Sequence, residues 1–438
     1  MDKIISTPCG EIMGYNCNLD GVVAFKGIRY ATAERWKYPQ LVTSWDGVYD
    51  AADYGNCSYQ PRAFYNEEEN LKKIFYYNEF RKGETYTYDE DCLFLNIWTP
   101  KNATKDSNLP VLIYIHGGGF TGGCGHEKHF DGPVWAQKGV IAVTINYRLG
   151  PMGFVCLPEL KKESGHTGNY GLYDQIAAIK WIKSNIASFG GNTEKITIMG
   201  QSAGAMSVQH LCQSELTKGL FCGAVMSSGV GLGSFMTSTP EKNYTFWKEV
   251  MNKSGAKSLD EFRKVSPEIL FKEWKSTKGS AMATIPVKDG ELIKENPFVH
   301  NIVYMAGSTS HDMAPAFLHP MTKKWGIKNN AYIWHFGRML PGDNNGAWHS
   351  SDLWYWFGTL KNCWRPMTKK DYKLSEEMTS YLCNFVANGN PNGNGLPEWK
   401  KCTNNKTVMC FSDEQTKMSK VNMRKLIVTT LTNKPVGE

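Results

Sequence analysis

Lys195-Ile196-Thr197-Ile198-Met199-Gly200-Gln201-Ser202-Ala203-Gly204, continued by a helix-compatible stretch to about Leu211, decides the fold of this chain. The alternating apolar run Lys195 to Met199 reads as a strand, and the residues from Ala203 onward read as a helix. Ser202 falls at the turn between them. Small residues on both sides allow the close backbone approach that such a turn needs, so the serine can be held in a strained, exposed conformation. A G-x-S-x-G pentapeptide is weak evidence by itself, and the surrounding sequence supplies the context. Upstream, the apolar run Val111 to Ile115 ends in His116-Gly117-Gly118-Gly119-Phe120, a glycine cluster whose backbone N–H groups can point at a developing oxyanion.

Outward from these two segments, strands and helices alternate. Leu93 to Trp98, Val111 to Ile115, Val140 to Ile145, Lys195 to Met199, Ala224 to Ser227, Ile302 to Ala306 and Ala331 to Phe336 read as strands. Gly171 to Phe189 has helical periodicity and stops at Gly190-Gly191, and Lys373 to Asn388 stops at Gly389 with Pro391 beyond. A β-rich segment from about Glu11 to Phe25 precedes them. This pattern predicts an α/β fold: a mostly parallel central sheet with helices on both faces and an N-terminal β-rich segment. No linker-like or low-complexity tract divides residues 1–438, which predicts one large α/β domain.

Composition excludes several classes of function. With 49 basic and 42 acidic residues the net charge is +7, spread along the chain without a Lys/Arg block, so no nucleic-acid partner is expected. No apolar run approaches the length of a membrane span, and Met1 to Glu11 lacks the apolar core of a signal peptide, which predicts a cytoplasmic protein. The 12 cysteines show no C-x-x-C spacing, which argues against a zinc ribbon and against a disulfide scaffold. His126, His129 and Asp131 cluster in one loop, but without a fourth ligand they read as polar surface, and no metal or cofactor is expected.

A serine hydroxyl is a poor nucleophile until a neighbouring base takes its proton, and that base needs a third group to orient it. On a strand-turn-helix scaffold of this kind the acid and the histidine follow the serine in that order, each after a strand. His210 falls in the helix after Ser202 and His335 in an apolar run, where core or surface roles fit better. His349 lies in the small-residue loop Gly346-Ala347-Trp348-His349-Ser350-Ser351-Asp352, after the strand ending at Phe336. Asp312 follows the strand Ile302 to Ala306 and is the preferred acid; Asp343, in a turn-rich context, is its rival.

These motifs together resemble the type-B carboxylesterases, the family of the cholinesterases and many bacterial esterases. Phe189-Gly190-Gly191 with Gly200-Gln201-Ser202-Ala203-Gly204 is similar to the family's serine signature, and Glu90-Asp91-Cys92-Leu93-Phe94-Leu95-Asn96 to its second one. Asn146-Tyr147-Arg148-Leu149-Gly150, Asp174-Gln175 and Asn388-Gly389-Asn390-Pro391-Asn392 match further. The resemblance spans about Gly21 to Trp399 and implies an α/β-hydrolase fold of bacterial type. It implies Ser202 as nucleophile, His349 as base, Asp312 as acid, and the N–H groups of Gly118, Gly119 and Ala203 as the oxyanion hole of a serine esterase acting on small-molecule esters.

Three departures from the family pattern carry expectations. Asp312-Met313 stands where the family usually has Glu-Gly. Only 37 positions separate Asp312 from His349, where relatives carry a long helical insertion, so a more open cleft than in cholinesterases is expected. Cys57 and Cys92 match a pair that closes a loop in secreted relatives, and reduced thiols are expected in a cytoplasmic chain. The segment between them has no Trp for cation–π binding of choline, but carries Phe64, Tyr65, Phe75, Tyr76, Tyr77, Phe80, Tyr86 and Tyr88, either an aromatic wall or core. The competing readings are a non-catalytic relative that acts by protein interaction, and a thioesterase or acyltransferase using the same three residues.

Overall fold

The computed structural model describes residues 2–71, 73–403 and 407–432. Thirteen strands among them form one sheet. In chain order they are β1 (Lys3–Thr7), β2 (Gly10–Asn16), β3 (Val22–Arg29), β4 (Val48–Asp50), β5 (Phe94–Pro100), β6 (Leu109–Ile115) and β7 (Ile141–Ile145). Then come β8 (Gly191–Gln201), β9 (Gly223–Ser227), β10 (Val303–Thr309), β11 (Tyr332–Gly337), β12 (Val408–Ser412) and β13 (Lys417–Ser419). Their spatial order is β1-β2-β3-β5-β7-β6-β8-β9-β10-β11-β12-β13, with β4 against β2. The block from β7 through β12 is parallel, and antiparallel strands flank it at both ends.

Side chains of the central strands alternate between two cores, as a period of two requires. Val111, Ile113 and Ile115 face one apolar cluster together with Ile196, Ile198, Ala224 and Met226. Leu112, Tyr114, Met199 and Val225 face the other, which is rich in tryptophan, including Trp98, Trp135, Trp334, Trp354 and Trp356. The first face is covered by α1 (Tyr170–Asn185) and α2 (Ala203–Leu211), the second by α4 (Leu353–Phe357) and α5 (Lys369–Asn388). Between β10 and β11 the chain forms α3 (Pro315–Lys328).

Every strand expected from sequence is present, with edges moved by long-range pairing. β8 starts at Gly191 and not Lys195, because Leu109 pairs with Gly191 before the register shifts at Val111. The helix expected from Lys373 starts at Lys369, where Thr368 and Asp371 form a reciprocal capping box. The helical segments Glu241–Lys253 and Pro267–Ser276 pack around Trp247, Phe271 and Trp274 as a satellite core.

One topological feature positions the site. The chain leaves β6 toward β7 on one side, then crosses back to place β8 on the other side of β6. Loops leaving the carboxyl ends of β6 and β8 diverge from such a point and open a crevice between them. The two registers align Ile115 with Gly200, so the His116 glycine loop and the Ser202 turn emerge side by side.

Candidate active site

Ser202 sits at φ 56° and ψ −125°, a left-handed conformation that few non-glycine residues adopt. Two glycines make this turn possible by close packing. A Cβ on Gly204 would lie 2.1 Å from the Ile115 carbonyl oxygen, and one on Gly117 would lie 2.6 Å from the Gln201 carbonyl oxygen and 3.1 Å from Ser202 Cβ. The glycine loop therefore lies directly on the serine turn. Gly204→Ala is expected to destabilise the fold by about 3 kcal/mol or more in chemical denaturation, since rigid backbone would have to move.

Ala203 is the first residue of α2, so its N–H has no acceptor within the helix. Gly118 and Gly119 line the same cleft as Ser202 and His349. Tyr147 donates its hydroxyl to the His116 carbonyl oxygen at 2.8 Å and stacks on the His116 ring, which fixes the root of the glycine loop. The matched segments around Tyr147 and Asp174 are braces: Arg148 and Asp174 form a fully buried ion pair at 2.7 Å.

Asp312 and His349 are joined by the loops that carry them. His311 N–H donates to the Ala347 carbonyl at 3.0 Å, and an isolated parallel bridge pairs His311 with Trp348. In the next position His349 Nδ1 donates to Asp312 Oδ1 at 2.5 Å. Asp312 Oδ1 also accepts from Met313 N–H, and its Oδ2 accepts from Ser228 Oγ at 2.5 Å and from Thr309 N–H at 3.2 Å. With four donors, the shorter aspartate is held without the methylene that glutamate would add. Its rival Asp343 lies elsewhere, paired with Arg365 at 2.6 Å and with Asn345.

The electrostatics follow from this network. Burial opposes the charge on Asp312, yet the His349 imidazolium, the hydrogen bond from it, and those from Ser228 and Thr309 hold the carboxyl below its ordinary value. Burial likewise opposes charge on His349, but the Asp312 charge and hydrogen bond raise it above the ordinary imidazole value, with a further contribution from Asp352. Asp352 is fully buried three positions beyond His349, and burial pushes its carboxyl up to about 6. Its Oδ2 accepts from Ser227 Oγ at 2.8 Å and Trp356 Nε1 at 3.2 Å.

His349 Nε2 lies 3.1 Å from Gln201 Nε2, so the amide beside Ser202 donates to the imidazole nitrogen that Asp312 leaves free. Sequence reasoning did not find Gln201, Ser228 or Asp352 as neighbours of this pair. Gln201 and Asp352 carried a signal, through their places beside the serine and in the His349 loop, and Ser228 carried none. His210 and His335 are buried on α2 and β11, as the core reading expects.

The cleft has a volume of about 440 Å³, and Ser202 is half-buried within it. Tyr65, Tyr76 and Phe80 line it with Phe130, Leu353 and Met313. The aromatic segment thus divides. Phe75, Tyr76 and Phe80 pack on Trp348, which is buried beneath the loop, while Tyr86 packs on His126. The polar-surface reading of His126, His129 and Asp131 is corrected. His129 is buried against Phe80 and Phe130, because the aromatic loop folds over it. Asp131 is buried enough that its carboxyl is pushed up to about 6, and His126 turns toward Cys57. Cys57 and Cys92 are both buried free thiols. No helix among the described residues is long and apolar enough to cross a membrane.

Comparison with known proteins agrees with this geometry. The sequence matches the carboxylesterase family over residues 1–319 and 316–427. It is 37% identical over 275 residues to para-nitrobenzyl esterase of Bacillus subtilis (strain 168), covering 62% of this chain and 52% of that protein. It is 35% identical over 340 residues to bile salt-activated lipase of Mus musculus, covering 70% and 53% respectively. The chain spans about half the length of these curated relatives. Among solved structures, a Geobacillus stearothermophilus carboxylesterase superposes with a TM-score of 0.81 at 26% identity, over 97% of this chain and 99% of that one. An esterase from anaerobic Clostridium hathewayi shares the fold with a TM-score of 0.82 at 24% identity, over 98% of each chain. With its mostly parallel sheet, helices on both faces and switch-point cleft, the fold is that of an α/β-hydrolase, and the chain belongs to the carboxylesterase family.

Proposed function

We propose that this chain hydrolyses carboxylic esters of small molecules through an acyl-enzyme on Ser202. The observation that carries the reading is the Asp312–His349 pair, brought into the same cleft as a serine strained at a strand-to-helix turn under a glycine loop. Asp312 fixes the imidazole tautomer with Nδ1 protonated, which leaves Nε2 as the acceptor. On substrate binding Nε2 exchanges the Gln201 amide for Ser202 Oγ and takes its proton as the oxygen attacks the ester carbonyl. The N–H groups of Gly118, Gly119 and Ala203 stabilise the oxyanion, and the alcohol leaves with the proton from His349. Water, activated by the same imidazole, then releases the acid.

The cleft supports esters with apolar acyl or aryl groups, given Tyr76, Phe80, Phe130 and Leu353 on its walls. Arg62 and Arg81 also line it, each paired with a carboxylate of the same wall, Glu127 and Glu67, so these charges largely cancel and select weakly for the charge of the alcohol. The Clostridium hathewayi esterase hydrolyses aliphatic aromatic polyesters, so aryl esters belong in the first screen. Turnover of p-nitrophenyl esters of increasing chain length, with fluorophosphonate labelling located at Ser202, tests the proposal. Absence of both turnover and labelling would reject it in favour of a non-catalytic relative.

A pH profile adds a second test. Because His349 must be neutral to act and is held above the ordinary imidazole value, the acid limb of kcat/KM is expected to have its midpoint above about 6.5. Asp352 is charged above about pH 6 and favours the imidazolium. In Asp352→Asn that charge is gone, and the limb should move to lower pH. An unmoved limb would mean that the Asp352 charge does not reach the imidazole.

A further inference from the structure

We infer that Cys57, Cys124 and His126 form a binding site for a divalent transition-metal ion of borderline softness, with Zn²⁺ as the best fit. The three ligand atoms, two sulfurs and the imidazole Nε2, all lie within 4.8 Å of one another. Cys57 Sγ is 3.6 Å from His126 Nε2. In a tetrahedral zinc site with Zn–S near 2.3 Å and Zn–N near 2.0 Å, a sulfur and a nitrogen ligand are about 3.5 Å apart and two sulfurs about 3.8 Å apart. Cys57 and His126 therefore stand at ligand spacing already, and with Cys124 within 4.8 Å of both, an adjustment of side-chain torsions would close the three on one ion. Two thiolates and one imidazole select zinc-like ions over the hard cations that prefer oxygen.

Each donor is held from outside the cluster. Cys57 lies on a two-residue strand whose neighbour is Tyr88–Asp89, and its N–H donates to the Thr87 carbonyl oxygen at 2.8 Å. Cys124 is fixed by its flanking residues: Gly123 N–H donates to Gln60 Oε1 at 2.9 Å and Gly125 N–H to Asn146 Oδ1 at 2.7 Å. The His126 ring is stacked on Tyr54, with centroids 4.6 Å apart and planes 8° from parallel, which aims Nε2 at the sulfurs.

Charge balance also fits. The neighbouring Arg62 and Arg81 are matched by Glu127 and Glu67, at 2.5 Å for Arg62–Glu127 and 2.6 Å for Arg81–Glu67. Arg62 also donates to Cys124 Sγ at 3.8 Å, but as a guanidinium already paired with Glu127, so the two thiolates remain the main counter-charge for one divalent ion. Cys124 follows Gly123, whose backbone packs against His116 and Gly117 at the root of the glycine loop. A metal bound here, with its fourth position taken by water, would tie this segment to Cys57 and His126 from behind the cleft wall, independently of the ester chemistry.

The test uses the full chain, reduced, stripped of metal, incubated with Zn²⁺ and desalted. The wild type should retain about one zinc equivalent more than Cys124→Ser or His126→Ala by elemental analysis. Zinc should also slow alkylation of Cys57 and Cys124, read by peptide mass spectrometry, by about tenfold or more. Co²⁺ should give the wild type a thiolate-to-cobalt charge-transfer band that the variants lack, a readout that stands on the wild type even if a variant folds poorly. Equal zinc content in all three proteins, metal adventitiously bound by the remaining cysteines, would overturn the site. So would a Cys57–Cys124 disulfide that forms as readily with zinc present as without it.

Discussion

Ser202→Ala is expected to lower kcat on the order of 10⁵- to 10⁶-fold, with folding and substrate binding retained. The hydroxyl is the only atom removed, and the turn that carries it is fixed by backbone contacts: Ser202 N–H donates to the Ser227 carbonyl oxygen at 2.9 Å, and Gly204 packs on the end of β6. Alanine is compatible with those contacts, although its left-handed backbone remains strained. His349→Ala should fall by a comparable factor, and the double variant by little more than either single one, because the two groups act as a unit. Circular dichroism and the unfolding midpoint must match the parent for the result to count. A variant with folded structure and most of its activity would remove Ser202 from the mechanism.

The second large effect distinguishes the two candidate acids. Asp312→Asn keeps the side-chain shape but replaces an acceptor of four hydrogen bonds with an amide that can present N–H to His349, favouring the wrong tautomer. A loss of kcat of about 10⁴-fold is expected. Asp343→Asn should leave kcat within a few-fold, since its partner is Arg365, whose guanidinium is also held by Glu79. Its effect belongs to stability, read as a lowered unfolding midpoint. Equal losses of activity in both variants would show that the loop around Asp343 matters to the site more than its geometry indicates. The pH profile gives a further check: in Asp312→Asn the imidazole loses its main source of elevated basicity, so the residual activity should have its acid limb at lower pH.

What could be read from the sequence was local, and what could not was set by distant pairing. The Ser202 turn was legible because its causes are adjacent: a strand period on one side, a helix period on the other, and glycines where backbones must touch. That both faces of the sheet are covered was legible from the alternation of strands and helices, whereas the uniformly apolar run Val111 to Ile115 did not show which residues turn to which core. The sequence preferred Asp312 to Asp343 by its place after a strand, but not the contact behind that choice: His311 bridges to Trp348, a pairing between two irregular loops with no pattern of its own. Ser228, which donates to Asp312 from 84 positions away, had no such pattern either. The cluster at residues 126–131 looked like one polar patch on paper. Neighbours in a loop point in different directions, and each found its own environment: a thiol pair, an aromatic stack and a buried pocket.

The crossing of the chain between β6 and β8 sets a timetable for assembly. Gln201 and His349 are 148 positions apart, and the imidazole can meet the serine turn only after β9, β10 and β11 have docked in parallel, a slow class of event because long loops must close before any contact rewards them. During refolding from denaturant, Trp98 on β5 should therefore be buried before catalysis returns, while Trp334 on β11 and Trp354 and Trp356 just after His349 should be buried together with it. The lag between the two signals would time the last strand into place.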